Sequence, residues 1–300
     1  MELRHIRYFL AVAEEGSFTR AAARVGIGQP PLSLQIKDLE AEVGAQLFHR
    51  LPHGAELTEA GLAFREIVGA MPGQAVAATH AARRAARGEV GALTIGCIGS
   101  IAINPIVAAA IRAFRRSYPD VELRFEEAGS AALATGVREG RLGAAIMRPN
   151  RTEAEGLRIH EIARDMLVAA LPAAHPLAVS DKAIDLSELA GDAFILTPRE
   201  IGAGLPDAVI GACRAAGFEP RLGQGAPQIA TLLALVAAEF GVSLVPGSLR
   251  RIGLDDLAFR ALKNAPAPLA LVVAVRRDER SELVRNFVSR AKASARRTAA

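Results

Sequence analysis

The sequence predicts an α/β chain that opens on a winged helix-turn-helix, continues through a long linker helix and ends in a two-lobed α/β domain. Three observations predict it. Two short apolar-periodic segments lie within residues 18–43, hinged by Gly26-Ile27-Gly28. An Ala- and Arg-rich helical pattern, too polar to be a core, covers roughly residues 59–88. From Leu93 onward strand patterns alternate with helical ones, which implies β-α-β units and a parallel sheet.

The elements follow in chain order. Residues 2–14 form a helical pattern with Leu3, Ile6, Phe9, Leu10 and Ala13 on one stripe. Ser17 is a candidate N-cap for a helix over 18–25, and Gly26 and Gly28 bracket a tight turn. Pro30 is expected at the first position of a third helix, where its missing N–H costs nothing, and Gly44 stops that helix after Val43. Leu32, Ile36, Leu39 and Val43 are spaced to line one buried face, leaving Ser33, Leu34, Lys37 and Asp38 outward. LFHR (47–50) and ELT (56–58) bracket a Pro-His-Gly turn and read as a two-stranded wing.

The linker pattern is interrupted by Pro72-Gly73. A proline in a helix interior costs about 3 kcal/mol, so a kink or break is expected. Gly88 and Gly91 end the linker. Strands are then expected at 93–99, 121–128 and 142–147, with helices over 104–117 and 130–139 between them. A second run holds LRIHEI, DMLVAAL, FIL (194–196), helices over 205–217 and 228–239, and VSLVP (242–246). LALVVAV (269–275) and a helix over 280–294 close the chain, giving two similar α/β halves. The domains are accordingly placed at 1–58, 59–88 and 91–300. Lobe I takes about 91–162 with 268–300, and lobe II about 163–267.

Charge and composition narrow the function. The 300 residues suggest about two domains, and 51% hydrophobic content can fill a large core. The net charge of +4 invites a nucleic-acid reading, but its location complicates one. Residues 1–65 hold seven Arg/Lys against eight Asp/Glu, whereas residues 276–300 hold eight against three. A DNA role must therefore rest on how the N-terminal charges are arranged. Residues 90–111 carry no charge and have the length of a membrane span, but glycines, Asn104 and Pro105 break them. The first twenty residues carry charges throughout and no long apolar stretch, so a cytoplasmic protein without a signal peptide is expected.

Two short helices need an apolar platform, and the helix over 2–14 supplies it; the third helix can then enter a major groove. Gln29 can reach adenine, Ser33 and Lys37 can donate to phosphates or base edges, and Thr19 and Arg50 flank the groove. An ordinary three-helix packing module remains the bland alternative. In the second domain, ligands of an open parallel sheet bind beyond the carboxyl ends of the strands. Ser100 and Ser130 follow the first two strands beside helix starts, and Arg148 follows the third, a set suited to a small carboxylate. Each serine alone would pass as a simple N-cap, and Arg148 as a surface charge.

SFTRAAARVGIGQPPLSLQIKDLEAEVGAQLFHR, followed by LTEAG, resembles the winged helix-turn-helix of LysR-type transcriptional regulators. The resemblance continues through the linker, LTIGCIGS, AAHPLA and LALVAAEFGVSLVP, nearly the whole chain. MELRHIRYFLAVAEEGSFT and QPPLS look closest to the subgroup that controls aromatic-acid degradation and senses benzoate- or muconate-like ligands. The resemblance implies DNA contacts by Gln29, Pro30, Pro31, Ser33, Leu34, Lys37 and Arg50, and a periplasmic-binding-protein type of effector domain. It implies effector contacts by Ser100 and Ser130, with Thr197 and Pro198 approaching from the other lobe. Three departures stand out: Leu34 where the family often has a polar residue, Glu239 where it usually has glycine, and Pro72 in the linker.

The expected partners are double-stranded DNA, a small aromatic or dicarboxylic acid, and further copies of the chain as a homodimer or homotetramer. No membrane, cofactor, metal or catalytic residue is expected. GCIGS is not a nucleophile elbow, no Cys/His cluster has zinc spacing, and His49 and His53 flank a proline in the wing. A solute-binding protein of transport is the alternative, then an enzyme, then a redox sensor using Cys97 and Cys213.

Overall fold

The computed structural model describes residues 1–52, 54–101 and 104–299. It divides into two compact units, Met1–Arg84 and Ala85–Ala300.

The first unit begins with α1 (Leu3–Glu15), α2 (Phe18–Val25) and α3 (Gln29–Val43). Ser17 caps α2 by accepting from the Arg20 N–H, and Gly26 ends it in a left-handed conformation that a side chain would strain. Gln29 and Pro30 occupy the first two positions of α3, so no hydrogen bond is lost. β1 (Phe48–Leu51) and β2 (Gly54–Leu57) pair antiparallel as the wing. Phe9, Val12, Ala21, Leu32, Ile36, Leu39, Leu47 and Phe48 form one buried cluster, which is the surface neither short helix could bury alone. Val43 does not join it: it is 39% exposed, because the last turn of α3 runs past the edge of that core.

The linker is two helices, α4 (Glu59–Val68) and α5 (Met71–Ala86). The break comes at Gly69-Ala70, just ahead of Pro72, which falls in the first turn of α5, where its missing N–H removes no bond. No residue of α5 is buried.

The second unit holds a five-stranded and a three-stranded sheet. β3 (Gly91–Cys97), α6 (Pro105–Ser117), β4 (Val121–Glu127), α7 (Ser130–Arg138) and β5 (Ala144–Met147) give the expected parallel β-α-β-α-β run. After α8 (Arg151–Ala154), β6 (Leu157–Asp165) crosses into β7 (Leu167–Pro172). Then come β8 (Ala193–Phe194), α9 (Gly204–Ala215), β9 (Arg221–Leu222), α10 (Ile229–Ala237), β10 (Ser243–Pro246) and β11 (Leu257–Arg260). β12 (Leu269–Arg276) and α11 (Glu282–Ala299) finish the chain.

The sheet orders are β4-β3-β5-β12-β6 and β10-β7-β11. β12 runs antiparallel between β5 and β6, so the larger sheet is mixed. The smaller sheet is antiparallel throughout, so it is not a second parallel copy of the first. Of FIL only Phe194 is in a strand, the two-residue β8, and it also bridges to Val242. β11, LAFR, has no buried residue and no alternation to announce it.

Candidate nucleic-acid and effector sites

In the first unit the outer face of α3 carries the residues expected to contact DNA. Gln29, Pro30, Pro31, Leu34 and Lys37 are exposed and Ser33 is half-buried. Their spacing of three and four residues puts Pro30, Ser33, Leu34 and Lys37 on one helical face. Gln29 donates from Nε2 to Ser33 Oγ at 3.3 Å, which orients both side chains. Leu34 is 58% exposed, an apolar group suited to a thymine methyl and unable to hydrogen-bond a base. Thr19 lies exposed in the first turn of α2, and the Arg50 guanidinium stands 4.9 Å over the Phe18 ring.

Charge pairing explains how a unit with little net charge can present cations. Arg24 pairs with Glu14 at 2.6 Å and Glu15 at 3.3 Å, while the chain's amino terminus pairs with Glu42. Glu40 accepts from the Leu47 N–H at 2.7 Å and the Phe48 N–H at 3.1 Å, tying the wing to α3. Sequence reasoning missed that role for Glu40. Lys37 makes no ion pair among the described residues, so its ammonium is available to phosphate. His53 lies outside the described residues.

In the second unit the parallel strands β3, β4 and β5 deliver Ser100, Ser130 and Arg148 to one cavity of about 280 Å³. Ser100 sits on a short 3-10 turn, Gly99–Ile101, and α6 is capped instead by Asn104, which accepts from the Ile106 N–H at 2.9 Å. Ser130 is the first residue of α7, whose N-cap, Gly129, has no side chain to offer. Neither serine is therefore an N-cap, and both are buried.

Arg148 is no surface charge: it is 4% exposed. Its Nη1 donates to Ser100 Oγ at 2.8 Å and its Nη2 to Asp165 Oδ2 at 3.1 Å, while Nε has no partner. Burial pulls its guanidinium below the usual arginine range, and Asp165 opposes that pull. Asp165 also accepts from Ser248, through N–H at 3.1 Å and Oγ at 2.5 Å. With one lone pair engaged by Arg148, the Ser100 hydroxyl keeps its proton free to donate. Arg148 lines the cavity, bonded to Ser100 and with its charge balanced by Asp165.

The other half supplies Thr197, Ile201, Gly202, Gly204 and Leu205, with Pro227, Gln228 and Ile229. Thr197 lines the cavity; Pro198 lies in a separate hollow beside Phe194, Leu196 and Leu222. Three helices therefore begin at this cavity: α7, α9 and α10. None is capped by its own N-cap side chain, at Gly129, Ala203 or Gln228. The starts of α7 and α10 present N–H groups and partial positive charge, which favour an anion, while at α9 the Glu153 carboxylate already accepts from the Ala203 N–H at 3.4 Å. The loop at 201–205 and the start of α10 were missed from sequence, where only the hydroxyls after strands gave a signal.

The two thiols are not bonded to each other. Both are free; Cys97 is half-buried on β3 and Cys213 is buried in α9. Burial raises both, Cys213 to about 11, with Glu219 adding to Cys213 and Glu127 to Cys97. Among the described residues no group of three His, Cys, Asp or Glu side chains could hold a metal ion. No helix among them is long and apolar enough to cross a membrane; Ala102 and Ile103, within the charge-free stretch, lie outside the described residues.

Comparison with known proteins bears on both sites. The family model described as the bacterial regulatory helix-turn-helix protein, lysR family, matches residues 3–62. The LysR substrate binding domain matches residues 86–296. The chain belongs to the LysR family of transcriptional regulators. Within the family, the regulator BudR of Raoultella terrigena is 36% identical, covering 96% of this chain and 99% of BudR. BenM of Acinetobacter baylyi is 32% identical over 95% of this chain and 93% of BenM, so it is less similar than BudR. The crystal structure of full-length CbnR complexed with its target DNA has a TM-score of 0.84 and 29% identity. That likeness covers 98% of this chain and 100% of CbnR. A solute-binding protein of transport, the alternative from sequence, is not favoured for a LysR regulator whose residues 3–62 match a regulatory helix-turn-helix.

Proposed function

We propose that this LysR regulator reads a duplex DNA operator through α3 and the wing, and that a small carboxylate in the cavity at the starts of α7, α9 and α10 controls it. Residues 1–58 are assigned to DNA, 59–88 to a linker that pairs with a second copy, and 91–300 to the effector. The site of action is the cytoplasm, where the DNA is, and no catalytic step is assigned. The observation that carries the effector class is the meeting of two uncapped helix starts, those of α7 and α10, with two buried hydroxyls. Thr197 adds a third hydroxyl. Leu62, Ile67 and Val76, all exposed on α4 and α5, support pairing of the linker in a dimer, or in a tetramer built from two dimers.

On the DNA side, Gln29, Ser33 and Leu34 are assigned to base edges. Thr19, Pro30, Pro31, Lys37 and Arg50 are assigned to backbone or groove contacts. Lys37→Ala is expected to weaken binding to every sequence alike and to lower the slope of log K against log salt by about 0.9. Fluorescence anisotropy across a salt series measures it; an unchanged slope removes Lys37 from the phosphate contacts.

On the effector side, a carboxylate present at 100 times its dissociation constant should add about 2.7 kcal/mol of stability. A thermal-shift screen of small aromatic and dicarboxylic acids is the test. Ser100→Ala and Ser130→Ala are each expected to abolish the shift. A full shift in both variants would place the acid elsewhere.

A further inference from the structure

The loop before α9 comes from the half built on the three-stranded sheet and closes onto the other half with no room to spare. A Cβ on Gly129 would collide with the Ile201 carbonyl, and a Cβ on Gly204 with the Arg148 carbonyl. Neither glycine adopts a left-handed backbone, so space, not conformation, requires them there.

A carboxylate fixes the same contact. Glu153, on α8, is buried; its Oε2 accepts from the Asn150 N–H at 2.8 Å and its Oε1 from the Ala203 N–H at 3.4 Å. Two backbone N–H groups therefore point at two oxygens of one side chain. Glutamine has one carbonyl oxygen and would turn its NH2 toward one of those donors. The negative charge also lies at the start of α9, where the helix dipole favours it.

Gly202 differs from its neighbours. A Cβ there would stand 3.4 Å from Ser130 Oγ and 3.5 Å from Ser130 Cβ and N, all ordinary contacts. A methyl group fits the fold at this position, but it takes the space directly against the hydroxyl and amide of Ser130.

We infer that Gly202 sets the size of ligand the cavity accepts, and that Glu153 is the positioning residue that holds Gly202 over Ser130. The inference rests on the reading of this cavity as a carboxylate site and adds what limits the acid's width. A narrow acid such as acetate needs only the hydroxyl and N–H donors. A carboxylate attached to a ring, such as benzoate, needs the space that a side chain at residue 202 would fill.

The test is calorimetric titration of the full chain with acetate and with benzoate. Wild type is expected to bind both, and Ser130→Ala to lose both. Gly202→Ala should keep acetate and weaken benzoate by about tenfold or more, the scale of one methyl in a tight pocket. Glu153→Gln in the Gly202→Ala background should restore benzoate, because the rim is released, and should speed hydrogen exchange at the Ala203 amide. Failure of wild type to bind either acid, or unchanged binding by Ser130→Ala, overturns the carboxylate site and this inference with it. If Ser130→Ala loses both acids while Gly202→Ala binds benzoate as wild type does, or if wild type takes acetate alone, the site stands and the size role of Gly202 falls. Unchanged Ala203 exchange and unrestored benzoate in the double variant overturn the role of Glu153. Gly202→Ser, with a similar Cβ, repeats the measurement should the alanine variant fail to fold.

Discussion

Arg148→Met is expected to lower the stability of the second unit by about 3 kcal/mol, because it leaves Asp165 as a buried charge without its cation. The two donors from Ser248 remain on Asp165, which holds the loss to the lower end of the range for a broken buried pair. Removing both charges should recover part of it: Arg148→Met with Asp165→Asn is expected to be more stable than Arg148→Met alone. Urea denaturation followed by circular dichroism measures all three proteins. A single variant as stable as wild type would show that the pair contributes nothing net. The same substitution frees Ser100 from its guanidinium partner. Weaker carboxylate binding is therefore expected even where the protein remains folded.

Phe9→Ala is expected to cost the first unit about 3–5 kcal/mol, the usual loss for a fully buried phenylalanine. The ring lies 5.2 Å from Phe48 and 5.0 Å, edge on, from Phe64, so α1, the wing and α4 meet on it. A unit of this size has roughly 4–12 kcal/mol in all, so the loss is a large share of what keeps α3 in place. Operator binding should fall sharply at 37 °C while the thermal shift produced by a carboxylate in the second unit persists. Undiminished operator affinity at that temperature would show that α3 does not depend on this core.

The winged portion was legible in the sequence because its signals are local. Ser17, Gly26, Pro30 and Gly44 punctuate helices within a few residues of where they act, and the structure ends those helices there. Val43 was misplaced because periodicity reports the face of a helix and not where the underlying core stops. The meeting of Ser100 and Ser130 at one cavity was legible for a similar reason, since each lies just after a strand, where the chain turns into a helical segment.

What escaped is long-range. A charged residue carries no mark of its partner, and Arg148 finds Asp165 seventeen positions on, while Glu153 finds the Ala203 amide fifty positions on. Strand direction in the smaller sheet was hidden too, because β7 and β10 are buried throughout and β11 is evenly half-buried, patterns that read the same whichever way a strand runs. β8, at two residues, is too short to show a period at all.

The place of β12 has a consequence for synthesis. β12, made after both of its neighbours, is inserted between β5 and β6 as an interior strand of the larger sheet. A nascent chain can therefore complete its helix-turn-helix while the sensing half still lacks an interior strand and exposes two unpaired sheet edges. A ribosome that stalls before residue 269 releases a reader with no working sensor. Loss of β12 is thus a more severe lesion for regulation than its absence from the cavity lining would suggest.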